Sequence, residues 1–239
     1  MTDDSQKPHQ SSSSIAERYL NRDLGWLEFN RRVLEMADDP QTPLLERVRF
    51  LSIFSNNLDE FFMKRVGGMK RRIDAGAGAI KGETDSPIVL LEKIRARVDS
   101  LLSQKLDTYQ AGVLPALREV GIEVLTWEDL EDAQREEAEK WYNQNVFPIL
   151  TPLAVDPGHR FPFISNMSVS VGVQLERPGD PDRLFARVKV PEVPSRMYRF
   201  EGTSKYVPVR EIISHNLEDL FPGMRITKVM PFRVTRNAD

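Results

Sequence analysis

The chain has 239 residues, with 33 Lys+Arg against 36 Asp+Glu for a formal net charge of −3, 40% hydrophobic residues and no cysteine. This balance can bury a core and excludes a wholly disordered chain. It also excludes nucleic-acid binding through bulk positive charge, a disulfide scaffold, a thiolate metal site and thiol catalysis. The length allows one large domain or two small ones, at about 100–200 residues each.

The opening MTDDSQKPHQSSSSI is polar and Ser-rich, without the apolar core of a secretory signal, and predicts a disordered tail over residues 1–18. No apolar run reaches the roughly 18 residues that a transmembrane helix needs, so a cytoplasmic protein is expected. A first helix is predicted over Leu24 to Met36, entered through Asp23 and closed before Pro40. Leu44, Val48, Leu51, Phe54, Leu58, Phe62, Val66, Met69 and Ile73 then recur at three- and four-residue steps and predict one long amphipathic helix. Thr42 is its expected N-cap, Pro43 its first-turn proline, and Gly76-Ala77-Gly78 its stop.

Ser86-Pro87 opens another helix, with Ile88, Leu91, Ile94, Val98, Leu101 and Leu102 expected on one face. A charged helix comes next, from about Leu130 to Asn145, its start crowded with acids that the helix dipole favours. Beyond Phe147 the pattern changes. Pro148, Pro152, Pro157 and Pro162 exclude continuous helix. Alternating apolar residues predict strands at Val169–Leu175, Phe185–Val190 and Arg225–Val234, with a helix from Val209 to Phe221 between the last two. The expected fold class is α then α+β: a helical N-terminal domain over 19–127, then a mainly antiparallel sheet with a packed helix over 128–239.

Motifs for chemistry are few. No Walker A loop and no G-x-G-x-x-G after a strand occur. His9, His159 and His215 are scattered, without metal-ligand spacing, and each reads more simply as a solvated or loop residue. No metal ligand and no catalytic residue is assigned. The informative segment is Ser55-Asn56-Asn57-Leu58-Asp59-Glu60-Phe61, because asparagine is a poor helix former set here inside a helical pattern. At about 100° per residue, Asn57, Lys64 and Arg71 form one stripe bordered by Phe50 and Phe61, while Leu51, Leu58 and Phe62 face the core. An amide beside aromatic rings and cations can read a base edge and hold a phosphate. The plainer alternative is a solvated flank whose asparagine bonds a nearby backbone group. Asn56 lies about 100° off the stripe and is expected to serve folding. Lys64, Arg65, Lys70, Arg71 and Arg72 form an acid-free basic cluster, which suits a polyanion or is an ordinary solvated face.

At these residues the chain resembles a known family. LGWLEFNRRVL (24–34), PLLER (43–47), FLSIFSNNLDEFF (50–62), TPLAVDP (151–157), FPFISN (161–166), ARVKVP (186–191), LFPGM (220–224) and FRVTRNAD (232–239) are similar, in colinear order from about residue 19, to the N-terminal and head domains of bacterial polyphosphate kinase. The resemblance implies reversible transfer of the terminal phosphate of ATP to inorganic polyphosphate, through a phosphohistidine and with magnesium. It implies that Asn57 contacts the nucleotide base, and leaves Lys64 and Arg71 as candidate phosphate or polyanion contacts. The implied partners are ATP/ADP, polyphosphate and further copies of the chain in a homodimer or tetramer, with no nucleic acid. The implied location is the cytoplasm or, as a complex, the membrane. The phosphorylated histidine and the magnesium ligands are expected in C-terminal domains that these residues do not include, so the stretch alone is expected to be inactive, as the first part of a longer enzyme. The competing expectation is a free-standing interaction module that keeps the fold and binds polyphosphate or a partner without chemistry.

Overall fold

The computed structural model describes residues 21–76, 85–155, 163–179, 183–192 and 195–237. The tail expected over 1–18, with His9, lies outside the described residues, as do Ala77, Gly78, Pro157, His159 and Pro162. The chain divides into two units. Among the described residues, one runs to Tyr109 and includes Asn237, and the other is Gln110–Arg236.

The first unit is helical. Helix α1 is Arg22–Asp38, and its N-cap is Asn21 rather than the expected Asp23: the Asn21 side chain accepts from the Asp23 and Leu24 N–H groups at 2.9 and 3.2 Å. This leaves the Asp23 carboxylate free to take the Arg65 guanidinium at 3.1 Å. Helix α2 is Leu44–Phe61. Pro43, in extended backbone, is the residue that precedes it, and no side chain caps it, so the role expected of Thr42 is not used. The long helix predicted here does continue to Asp74, but not as one regular α-helix. A π-helical turn, Phe62–Val66, separates α2 from α3, Gly67–Asp74. Gly76, at φ 67°, comes just after the stop.

Leu51, Phe54, Leu58 and Phe61 are buried along α2, and Phe62 is only half-buried. From Leu58, both i+3 and i+4 lie near the core face. The ring of Trp26 decides between them by stacking on Phe61, with centroids 4.7 Å apart and planes 17° off parallel. Helix α4, Pro87–Asp107, is capped by Ser86 accepting from Val89 N–H, and buries Leu90, Ile94, Val98 and Leu101. Ile88 and Leu102, expected on that face, are 56% and 43% exposed. A second π-helical turn, Thr108–Val113, leads into α5, Leu114–Glu119, which belongs to the second unit and which periodicity alone does not announce. The Thr108 hydroxyl is buried and donates to Asp38 at the end of α1, 3.1 Å away.

The second unit holds two sheets, where one was expected. Strands β1 (Glu123–Val124), β6 (Lys205–Pro208) and β5 (Met197–Arg199) form the smaller sheet, with β1 parallel to β6 and β5 antiparallel to β6. Strands β2 (Pro152–Val155), β4 (Arg183–Lys189), β3 (Val169–Glu176) and β7 (Arg225–Arg233) form the larger sheet in that order, all antiparallel. Val171 opposes Val188, Val173 opposes Ala186 and Leu175 opposes Leu184, which puts one apolar face on the core. Helix α6, Asp132–Asn145, enters through a capping box between Glu131 and Gln134. It shares the buried cluster of Tyr142, Val146, Val171, Val173, Val188 and Val207 with α7, Val209–His215. The helix predicted to reach Phe221 breaks at His215 into a 3₁₀ turn, Leu217–Leu220, which keeps Leu217 in the core.

Candidate functional site

The site of interest lies in the first unit, where α1 packs beside α2 and the π turn. Trp26, Phe29 and Asn30 stand at i, i+3 and i+4 on α1, so they share a side of the helix. Asn57, Glu60, Phe61, Lys64 and Arg65 come from the other wall. Trp26, Phe29 and these five residues line an open recess of about 370 Å³. Trp26 presents its indole over Phe61, and Phe29, 48% exposed, sits at a tilt with its ring centroid 6.5 Å away.

Asn57 is half-buried, and its Nδ2 donates to Oδ1 of Asn30 at 3.1 Å. Asn30 is fully buried and its own Nδ2 donates to the main-chain carbonyl of Phe54 at 3.1 Å. Asn56, the residue expected to serve folding, is exposed on α2. The cations are placed by the π turn. Lys64 pairs with Glu60 at i,i+4, and this hydrogen bond holds the Glu60 carboxyl below its ordinary range. Arg65 pairs with Asp23. A π turn holds one residue more than an α turn and retards the phase of the next helix by about one residue. Lys64 and Arg65 thus flank the recess together, and Arg71, exposed on α3, is not among the residues lining it.

The recess combines an aromatic wall, an amide and two cations that are already partnered by carboxylates. Such a set suits a flat heteroaromatic ring with a hydrogen-bonding edge. Sequence periodicity pointed to α2 alone. The contribution of Trp26, Phe29 and Asn30 depends on which side of α1 meets α2, and the only local signal was an aromatic–asparagine group at helical spacing.

In the second unit, His215 is not simply solvated. Its Nδ1 lies 2.9 Å from the Glu211 carbonyl, its Nε2 3.2 Å from Glu128, and its ring stacks on Trp127 with centroids 5.2 Å apart. Among the described residues, no group of three or more His, Asp or Glu side chains converges to hold a metal ion. The donor set of the described residues does not fit magnesium. Among the described residues, no helix is long and apolar enough to cross a membrane.

Residues 19–125 match the polyphosphate kinase N-terminal domain and residues 133–239 the polyphosphate kinase middle domain. The chain belongs to the polyphosphate kinase family. It is 46% identical over 233 residues to the polyphosphate kinase of Mycobacterium marinum, covering 93% of this chain and 32% of that protein. It is 44% identical over 238 residues to that of Mycobacterium tuberculosis, covering 94% and 32%. The crystal structure of polyphosphate kinase from Porphyromonas gingivalis superposes with a TM-score of 0.81 at 28% identity, covering 92% of this chain and 33% of that one. The chain therefore spans about a third of the length of these relatives.

Proposed function

We propose that this stretch is the base-binding part of a polyphosphate kinase that reversibly transfers the terminal phosphate of ATP to inorganic polyphosphate. Asn57 contacts the nucleotide base. Lys64 lies where a phosphate can displace Glu60, and Arg71 remains a candidate polyanion contact outside the recess. The phosphohistidine and the magnesium ligands are assigned to further domains of the enzyme, so these residues alone make no polyphosphate. The supporting observation is the Asn57 amide, held in a recess whose wall is the stacked pair Trp26 and Phe61.

The second unit is assigned to contacts between subunits of a homodimer or tetramer. Ile149, Leu153, Phe163 and Met230 support that assignment, because all four are exposed and apolar, Phe163 at 76%. Light scattering of the full-length enzyme is expected to give at least a dimer at micromolar concentration, and a monomer would remove the assignment.

The deciding experiment is Asn57→Ala in a full-length polyphosphate kinase carrying this stretch. Loss of one or two neutral hydrogen bonds, at about 0.5–1.5 kcal/mol each, raises KM for ATP about three- to tenfold or somewhat more. Phosphorylation of the enzyme at saturating ATP is expected to survive. An unchanged KM would leave Asn57 as a helix-packing residue.

A further inference from the structure

Asn30 is a polar side chain with no exposed surface, set in α1 in series with the buried Leu27, Leu34 and Ala37. Burying an amide is costly unless its groups are bonded, and both ends of this one are. Its nitrogen meets the Phe54 carbonyl and its oxygen meets the nitrogen of Asn57. The sense of the chain is set by its first member. A main-chain carbonyl only accepts, so Asn30 must turn its nitrogen to Phe54 and its oxygen away. Asn57 must then turn its nitrogen to that oxygen. What Asn57 has left is its own oxygen and one N–H, and it has no other hydrogen-bond partner among the described residues.

We infer that Asn30 is a positioning residue that locks the Asn57 amide in one orientation, and that this lock makes the site select a 6-amino purine over a 6-oxo purine. The oxygen and the N–H left to a locked amide come in one fixed order, which matches the amino donor and N1 acceptor of a 6-amino purine; a 6-oxo purine presents its oxo acceptor and N1–H donor in the reverse order and needs the amide turned over. Turning Asn57 over in place would set its oxygen against the Asn30 oxygen. Turning Asn30 as well would set an oxygen against the Phe54 carbonyl. The inference rests on the reading of Asn57 as the base contact and adds to it the residue that gives that contact its polarity.

The test compares kcat/KM for ATP and for GTP in the full-length enzyme carrying Asn30→Leu, which keeps the branched shape and removes the lock, with Asn57→Ala as the reference. The expected result in Asn30→Leu is an ATP:GTP ratio lowered by about three- to tenfold, carried by KM. Loss of thermal stability with both nucleotides affected alike and the ratio unchanged would mean that Asn30 serves packing alone, and would overturn the inference. Asn57→Ala with an unchanged KM for ATP would instead remove the underlying base contact, so the two failures are distinguishable. If Asn30→Leu does not fold, side-chain amide hydrogen exchange in the unaltered protein decides: Asn30 and Asn57 are expected to exchange slowly against the exposed Asn56. Exchange of all three at one rate would overturn the lock.

Discussion

Arg97 on α4 donates its Nε–H to Oε1 of Glu28 on α1 at 2.6 Å, while Arg31 donates to the other carboxylate oxygen at 2.8 Å. One carboxylate thus ties two helices that begin 65 residues apart in sequence, at Arg22 and Pro87. The Arg31 hydrogen bond is the largest influence holding Glu28 below its ordinary value of 4.5; burial opposes it, and Arg97 adds to the lowering. A depressed carboxyl contributes stability above its unfolded pKa and loses it as pH falls through the folded one. The contribution is therefore complete above pH 4.5 and fades below it. Thermal melts followed by circular dichroism are expected to show a steeper acid loss in the unaltered chain than in Glu28→Gln; parallel curves would show that the pair is screened to nothing by solvent.

Tyr142 donates its hydroxyl to the Asn216 carbonyl at 3.1 Å from inside the core of the second unit. Burial, reinforced by the charge of Asp219, pushes its phenol up to about 12 from 10.0. Here the neutral form is the folded one, so stability is complete below pH 10.0 and falls as pH rises towards 12. Tyr142→Phe leaves the carbonyl without this donor and is expected to cost about 1–3 kcal/mol in urea unfolding. It should also flatten the alkaline loss. A variant as stable as the parent would mean that water replaces the hydroxyl.

Asn56→Ala is the contrast to Asn57→Ala. Its side chain is exposed, and alanine is the better helix former, so stability should change by no more than about 0.5 kcal/mol. The KM for ATP should stay at the parent value. A selective rise in KM at Asn56 would mean that the base contact belongs to the other asparagine.

Trp26→Leu keeps an apolar side chain on α1 but removes the stack on Phe61. An aromatic pair adds about 0.5–1.5 kcal/mol beyond its buried area, and a loss of at least that size is the expected change in denaturant unfolding, because leucine also buries less area. No change in stability would mean that Phe61 is held by the remaining core alone.

Much of the fold was legible locally. Ser86-Pro87 marks a helix start because a hydroxyl cap and a proline at the first turn satisfy or avoid the same orphan N–H groups, and α4 begins there. The valines of β3 alternate because a strand with one face on a core requires it, and the register with β4 obeys that alternation. The family strings carried the base contact to Asn57, a reading that stands as a proposal. The tertiary structure decided the rest, wherever two local solutions cost nearly the same. Asn21 and Asp23 are both competent caps, and Asn21 took the role while Asp23 paired with Arg65. Phe61 and Phe62 both border the core face, and Trp26 selected Phe61. A seven-residue stripe assumes an unbroken α-helix, and the π turn at Phe62–Val66 changes its phase before Arg71. The lock on Asn57 was invisible for the same reason. Asn30 stands 27 residues away, and only the packing of α1 on α2 brings its oxygen to that amide.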